Sequence, residues 1–133
     1  MSYVLDTEFL IALAEGNAAA ARLLQELKNS GQPFIIPTPV VYEIEVGLVA
    51  IGEQAARDTF DSIIRGHSMK DFDLERAKRA GRIQASLNAA GKRGGDVDVM
   101  VTSFAMPRRD EVVSNDTRFP DIAQAGGVTL RTY

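Results

Sequence analysis

The chain contains no cysteine and only one histidine among its 133 residues. The absence of cysteine excludes disulfides, thiolate nucleophiles and thiolate zinc sites, and it fits a reducing cytoplasm. The lone His67 cannot form a histidine-rich metal site. No apolar run approaches the ~20 residues that a transmembrane helix requires, and the amino terminus lacks the basic and apolar regions of a signal peptide. We therefore expect a soluble, cytoplasmic protein with no membrane partner.

The length and the charge of the chain limit the possibilities further. A chain of this length corresponds to one domain with one hydrophobic core, so we predict a single domain over residues 1–133. The formal net charge of −3 argues against general binding of polyanions. Basic residues are nevertheless concentrated between positions 70 and 93, where seven lysines and arginines stand against three acidic residues.

Short apolar segments alternate with helical patterns along the chain. Strands are predicted at 3–5, 34–36, 68–72, 111–114 and 128–130. Helices are predicted at 7–15, 18–28, 39–51, 53–65, 73–90 and 96–106, with a turn or short helix at 116–125. Thr38, Asp73 and Asp96 are the predicted N-caps of three of these helices. Strands that alternate with helices imply a mainly parallel sheet covered on both faces, which is a three-layer α/β/α domain.

Four carboxylates stand at or near the ends of apolar elements: Asp6, Glu43, Asp98 and Asp116. Asp6 closes the first predicted strand, and Asp116 follows Val113 by three residues. In open parallel sheets, ligands bind outside the carboxyl ends of the strands. Acids that reach this edge from distant sequence positions therefore suggest one shared cation pocket.

Helical geometry separates two of these acids from their neighbours. An apolar stripe in the third predicted helix comprises Val40, Ile44, Gly47, Leu48 and Ile51. Glu43 lies on the flank of this stripe, whereas Glu45 points to the opposite side. Asp98 likewise borders the apolar side of its helix, and Asp96 faces away as the expected N-cap. An acid beside a core stripe costs desolvation unless a positive group meets it, which marks Glu43 and Asp98 as candidate site residues.

Carboxylates that gather within a few ångströms repel one another, and a divalent cation resolves this conflict. An oxygen-only ligand set favours Mg²⁺ or Mn²⁺ over softer metals. Such a site supports hydrolysis of a phosphodiester, because the metal polarises the phosphoryl oxygen and activates water. The alternative interpretation is that each acid is an ordinary cap or turn former.

Taken together, the acid motifs resemble those of the PIN-domain nucleases, most closely the VapC-like toxins of toxin–antitoxin pairs. The matching segments are Val4–Thr7, Tyr42–Gly47, Asp98–Ala105 and Val113–Asp116, followed by Phe119. The resemblance implies a PIN-like fold and an endoribonuclease in which Asp6, Glu43, Asp98 and Asp116 are catalytic. It further implies that Asp6, Asp98 and Asp116 bind Mg²⁺ or Mn²⁺, with Thr7 and Ser114 in support.

The same resemblance implies partners. A small antitoxin restrains such toxins by laying its carboxy-terminal segment across the site, and the pair reaches operator DNA through the antitoxin. Many members of the family are homodimers. Two departures stand out: Glu8 replaces a small polar residue and is either an additional ligand or a solvent-facing side chain, and Ser114 replaces a common threonine.

An RNA substrate that approaches an acidic pocket needs nearby cations to hold its phosphates. The candidates are Lys92, Arg93, Arg108 and Arg118, and Arg118 stands two residues after Asp116. Two other functions remain open. One is a non-catalytic module that sequesters RNA or a protein partner. The other is a phosphoacceptor receiver domain. The sequence disfavours it because a receiver needs a lysine after a late strand, whereas Arg108 and Arg109 here precede that strand.

Overall fold

The computed structural model describes residues 1–133, which form five strands and seven helices. The strands are β1 (Tyr3–Leu5), β2 (Phe34–Pro37), β3 (Ser68–Lys70), β4 (Glu111–Val113) and β5 (Thr129–Arg131). The helices are α1 (Thr7–Ala14), α2 (Ala18–Asn29), α3 (Thr38–Ile51), α4 (Gln54–Arg65), α5 (Leu74–Ala89), α6 (Asp96–Thr102) and α7 (Phe119–Gly126). Every predicted element is present, and most boundaries agree within two residues, which is the usual uncertainty of helix and strand ends.

The five strands form one parallel sheet in the order β3-β2-β1-β4-β5. Helices α1 to α4 pack with one another, and α5 to α7 form a second group. The sheet lies between helical layers, so the predicted three-layer α/β/α fold is confirmed. No helix is both long and apolar enough to cross a membrane.

The two central strands are the most deeply buried part of the sheet. Val4 and Leu5 of β1 and Val112 and Val113 of β4 are all 0% exposed. Continuous β-branched and aliphatic runs of this kind suit a strand that is covered on both faces. The main core extends from these strands to α1, α2 and α3, while a smaller cluster joins α5, α6 and α7. β1 and β4 therefore lie deep in the core of the fold.

Two of the three predicted N-caps are wrong. Thr38 is the first residue of α3, and the N-cap of this helix is Pro37. The Thr38 hydroxyl accepts a hydrogen bond from the Phe72 N–H (3.1 Å) rather than from an N–H of its own helix. Asp96 is the first residue of α6, and the N-cap is Gly95 without a side-chain bond. The third prediction is confirmed, because Asp73 accepts the N–H of Arg76 at the start of α5 (3.0 Å).

Helix α6 ends at Thr102, four residues before the predicted end. The Thr102 hydroxyl donates to the Asp98 carbonyl (2.9 Å), and the Ser103 hydroxyl donates to the Met100 carbonyl (2.5 Å). Hydroxyls that bond to the preceding turn compete with the helical backbone ladder. The chain continues in tighter turns, in which the Phe104 N–H donates to the Val101 carbonyl. The apolar pattern still holds, because Phe104 and Ala105 remain buried.

Asp110 is a buried acid that the sequence did not single out. It is 2% exposed and lies before β4, at the amino edge of the sheet. Its carboxylate accepts the N–H of Ser2 and the N–H of Met106, both at 2.8 Å, and pairs with the Arg109 guanidinium (3.1 Å). These bonds tie the segments that lead into β1 and β4 to each other.

Asp110→Ala should lower the free energy of unfolding by about 2–4 kcal/mol, because two backbone N–H groups lose their partner in a buried place. Urea denaturation followed by circular dichroism measures the change. Asp121→Ala is the matched control: Asp121 pairs with Lys92 on the exposed surface (3.0 Å) and should have little effect. Equal stabilities of the two variants would contradict this role of Asp110.

Candidate active site

The candidate site lies where the strand order of the sheet changes direction. From β1 the chain proceeds outward to β2 and β3, then returns to β4 on the other side of β1. This switch point is where open parallel sheets form a crevice at the carboxyl ends of their strands. Asp6 directly follows β1, and its N–H donates to the Val113 carbonyl at the end of β4 (3.3 Å). The structure thus places Asp6 beside the segment that carries Ser114 and Asp116.

Glu43 and Asp98 come from α3 and α6, which contact each other. The Thr7 hydroxyl donates to Glu43 Oε1 at 2.6 Å, so the residue after Asp6 orients the carboxylate of α3. Asp98 stands in the first turn of α6, where the partial positive charge of the helix favours a carboxylate. A Cβ atom at Gly95 would lie 3.1 Å from Asp98 Oδ2, so glycine leaves the room that this carboxylate occupies.

Asp6 is the most deeply buried of the four acids, with 3% of its surface exposed. Burial raises the pKa of Asp6 to about 7, although hydrogen bonds from the Ser114 hydroxyl and the Phe9 N–H favour the charged form. The Phe9 N–H donates to Asp6 Oδ1 at 2.8 Å, which makes Asp6 the N-cap of α1. The charges of Glu8 and Asp98 raise the pKa further. No positively charged group contacts this carboxylate directly, so its negative charge is poorly compensated.

Asp98 is also partly buried among acidic groups, but it is less deeply buried than Asp6. Burial raises its pKa to about 6, and the Arg118 guanidinium opposes this shift. The charges of Asp116, Glu43 and Glu8 raise the pKa again. Two of the other predicted acids, Asp116 and Glu43, thus raise the pKa of Asp98. Asp98 in turn raises the pKa of the third, Asp6. The four acids are therefore close enough for their charges to act on one another.

Arg118 is the positive group of this cluster. Its Nη2 lies 2.6 Å from Asp116 Oδ2 and 3.9 Å from Asp98 Oδ2. Hydrogen bonding to Arg118 lowers the pKa of Asp116, although partial burial opposes the shift. Ser114 is fully buried, and its hydroxyl accepts the Asp116 N–H (3.0 Å), which fixes the turn after β4.

Groups of the protein itself hold the carboxylates in their present positions. Thr7 engages Glu43, the Phe9 N–H engages Asp6, and Arg118 engages Asp116. As they stand, no three acidic side chains lie in an arrangement that would hold a metal ion. Side-chain rotation and displacement of Arg118 are therefore needed before these residues can share a cation. The donor set itself consists of oxygens, which suits a hard divalent ion.

The other predicted contact residues are dispersed. Lys92 pairs with Asp121 of α7, and Arg93 is exposed in the loop between α5 and α6. The Arg108 N–H donates to the Gly127 carbonyl ahead of β5, so Arg108 lies at the amino edge of the sheet, opposite the acids. Of the four predicted basic residues, Arg118 alone contacts the acid cluster.

Sequence reasoning missed two residues beside the cluster, Asn115 and Tyr133, and left the position of Glu8 open. The charge of Glu8 acts on Asp6, Asp98 and Arg118, so this side chain belongs to the rim of the site. The backbone of Tyr133 bonds to the Asn115 amide. The position of Tyr133 depends on the pairing of β5 with β4, for which the sequence carries no visible signal.

The chain has a recognised family and structural relatives that share its fold. The family model described as PIN domain matches residues 3–125, and the chain belongs to the PIN domain family. No curated protein sequence matches the chain significantly. Among solved structures, the chain is similar to a chain of VapBC2 from Rickettsia felis, which was solved bound to a DNA fragment from the VapBC2 promoter. The TM-score is 0.83 at 18% identity, and the match covers 100% of this chain and 99% of that one.

Two further structures show the same likeness of fold. A chain in DNA-bound VapBC from Salmonella typhimurium gives a TM-score of 0.78 at 22% identity, covering 99% of this chain and 98% of that one. A chain in VapBC-5 from Mycobacterium tuberculosis, a member of the VapBC family of toxin–antitoxin systems, gives a TM-score of 0.69 at 20% identity. The match covers 98% of this chain and 96% of that one. The fold is thus shared over essentially the whole chain.

Asp6→Asn should stabilise the protein at pH 8 by about 2–4 kcal/mol and have little effect at pH 4. A carboxyl group whose pKa rises from 3.8 to about 7 on folding stabilises the fold while protonated, and this contribution is lost as the pH rises through 7. Asparagine keeps the volume and the oxygen that accepts the Phe9 N–H. Chemical denaturation in chelator at both pH values measures the difference.

The matched control for this experiment is Asp96→Asn, because Asp96 is an exposed aspartate at the start of α6. The prediction concerns the difference between variant and wild type, so other titrating groups cancel. If the unfolding free energy of Asp6→Asn followed that of the wild type at both pH values, Asp6 would not be the uncompensated acid that the structure indicates.

Arg118→Gln should raise the pKa of Asp116 and raise that of Asp98 above its value of about 6, because the guanidinium favours the charged form of both. Carboxyl-carbon NMR titration in chelator measures both values. Arg57→Gln is the matched control, since Arg57 forms an equally close pair with Glu45 on the outer side of α3 (2.8 Å). Unchanged titration of Asp116 in Arg118→Gln would contradict the assigned contact.

Proposed function

We propose that this chain is a divalent-metal-dependent endoribonuclease and the toxin of a toxin–antitoxin pair. The observation that carries the proposal is the convergence of Asp6, Glu43, Asp98 and Asp116, from four separate segments, on the switch point of the sheet. Membership of the PIN domain family and the likeness of fold to chains in VapBC complexes support it.

Asp6, Asp98 and Asp116 are the residues that would hold Mg²⁺ or Mn²⁺. Burial has raised the pKa of Asp6 to about 7 and of Asp98 to about 6, and a nearby divalent charge would reverse both shifts. The ion would supply polarisation of a phosphoryl oxygen and a more acidic water. Arg118 is now the counter-charge of Asp116, and it would be free to leave once a cation is bound there.

The residues of the chain divide the remaining tasks. Glu43 is outside the proposed metal set, and its carboxylate is oriented by the Thr7 hydroxyl (2.6 Å), so we assign it the acceptance of a proton from the attacking water. The Ser114 hydroxyl accepts the Asp116 N–H and bonds to the Asp6 carboxylate, so we assign it the positioning of these two acids. Both supporting hydroxyls thus act through the acids that they position.

Arg118 is the proposed phosphate contact. Its side chain is 68% exposed, so its guanidinium is able to leave Asp116 and meet a phosphate at the mouth of the site. Lys92 and Arg93 precede α6, the helix that carries Asp98, and are proposed as outer contacts for the RNA backbone.

A groove beside the site fits a protein partner. Its apolar lining comes from α1, α3 and α4 and comprises Ile11, Ile44, Leu48, Ile51 and Phe60. Glu43 also lines this groove, so a segment bound there leads directly to the acid cluster. We propose that the apolar carboxy-terminal segment of a small antitoxin occupies it, and that the chain meets operator DNA only through that antitoxin.

The outer face of α3 supports a homodimer. Tyr42, Val46 and Val49 follow one another at helical spacing and are 64%, 57% and 68% exposed. Exposed apolar side chains at positions i, i+4 and i+7 form a continuous stripe, which is unusual for a surface that stays in water. We propose that a second copy of the chain covers this stripe.

Asp98→Asn should lower the rate of RNA cleavage by at least about 10²-fold, because the charge is lost while the volume and the helix remain. Asp96→Asn, two residues away on the same helix and exposed, is the matched control and should cleave normally. A labelled single-stranded RNA, with Mn²⁺ or with excess chelator, measures the rate. Cleavage that persists in Asp98→Asn and in chelator would exclude the proposed mechanism.

The alternative is a module that sequesters RNA or a protein without cutting it. One observation favours this alternative: Arg118 and Thr7 already engage two of the four acids, so the cluster is tied without any cation. Growth assays separate the two functions. The nuclease predicts that the double variant Asp6→Asn and Asp98→Asn is harmless to cells, whereas full suppression of growth by this variant favours sequestration.

A further inference from the structure

The carboxyl end of β5 lies at the same edge of the sheet as the acid cluster. β5 pairs with β4 in parallel, with Val113 opposite Arg131. The Ser114 N–H then donates to the Arg131 carbonyl (3.0 Å), so the residues after β5 run beside the turn that carries Asp116. Tyr133, two residues beyond β5, is thereby brought to the candidate site.

Two contacts fix Tyr133 in this place. Its N–H donates to Asn115 Oδ1 (2.7 Å), and the Asn115 side-chain amide donates back to its carbonyl (2.6 Å). Its ring meets the Phe9 ring edge-to-face, with centroids 5.1 Å apart and an angle of 64° between the planes. Phe9 is fully buried, and its N–H is the one that donates to the Asp6 carboxylate. Tyr133 is thus attached at its backbone and at its ring to residues that flank two of the acids.

The surroundings of the Tyr133 phenol are negatively charged. Burial, and then the charges of Asp6 and Glu8, raise the pKa of Tyr133 to about 12. The phenol therefore stays neutral at physiological pH. Tyr133 is only half-buried, so part of its surface is accessible. The other two tyrosines do not share this position, because Tyr3 is buried in β1 and Tyr42 projects from α3.

An acidic site repels the phosphates of its own substrate, and a neutral aromatic ring attracts a nucleobase without adding charge. Stacking on an aromatic side chain tolerates any base, because every base has a π-face. We propose that Tyr133 is a positioning residue whose ring stacks on the base of a nucleotide that flanks the phosphodiester at the acid cluster. This inference rests on the proposed RNA substrate and assigns it a contact outside the acids.

The first test uses fluorescence. The chain has no tryptophan, so Tyr133→Trp introduces a single fluorophore with a stackable ring. In the Asp98→Asn background and in chelator, a single-stranded RNA decamer should quench this tryptophan. Met106→Trp is the matched control, because Met106 is exposed at the opposite edge of the sheet and its tryptophan should not respond. Tripolyphosphate, which has charge but no base, should leave both unchanged.

The second test separates the ring from the hydroxyl. Tyr133→Leu should raise KM for a short RNA by about tenfold while kcat stays within about threefold, because stacking on the flanking base is lost. Tyr133→Phe should keep KM within about twofold of the wild type. Thermal denaturation shows whether each variant is folded, and the aromatic variants preserve the contact with Phe9 if leucine does not.

The results distinguish this inference from the proposed function. Quenching of Tyr133→Trp by RNA, in a protein that cleaves no RNA, would contradict the nuclease and support the contact. Normal cleavage with a silent tryptophan and an unchanged KM in Tyr133→Leu would overturn the contact alone. An equal rise of KM in Tyr133→Phe and Tyr133→Leu would also overturn it, because the hydroxyl and not the ring would then meet the substrate.

Discussion

The parallel pairing of β1 with β4 is the constraint on which the candidate site depends. The last two residues of each strand are fully buried, and the register places Leu5 opposite Val113, so that Asp6 lies beside Ser114. One residue of strand advances the chain by about 3.3 Å, which is as long as a hydrogen bond. A slip of one residue would therefore be enough to separate Asp6 from the Ser114 hydroxyl. The site exists because two apolar strands pack in a single register, which fixes the positions of the polar residues that follow them.

In the acid cluster, burial raises the pKa values of Asp6 and Asp98, and the positive charge of Arg118 acts to lower those of Asp98 and Asp116. Asp116 lies against the guanidinium and has a lowered pKa, whereas Asp6, out of its direct reach, has a raised one. The pKa values of two carboxylates in one cluster are thus shifted in opposite directions. They differ because burial raises the pKa of Asp6, whereas the hydrogen bond from Arg118 lowers that of Asp116. Under the proposed function, a divalent cation would supply the positive charge that Asp6 lacks.

Much of the fold was predictable because it depends on local patterns, whereas the interactions that were missed depend on packing. The apolar runs marked β1 and β4. Of the helical stripe beside Glu43, Val40, Ile44 and Leu48 are buried, whereas Gly47 and Ile51 are exposed. The N-cap predictions failed at Thr38 and Asp96 because the identity of a cap depends on where the preceding strand or loop ends. The position of Tyr133 follows from the order of the strands, and that order is decided by how the sheet packs. Arg108 stands at the amino edge for the same reason.

A comparison of Asp6 with Asp110 shows why burial by itself does not mark a functional acid. Both are nearly inaccessible, at 3% and 2% exposed, and burial alone would raise the pKa of both. Asp110 nevertheless has a lowered pKa, because the Arg109 guanidinium and the N–H groups of Met106 and Ser2 compensate its charge. Asp6 has a backbone N–H and a hydroxyl but no paired cation, and its pKa is raised. A buried charge without partners costs stability, so the charge of Asp110 is stabilised by its own neighbours whereas that of Asp6 is not. Under the proposed function, a divalent cation would provide the compensation that the chain itself does not give to Asp6.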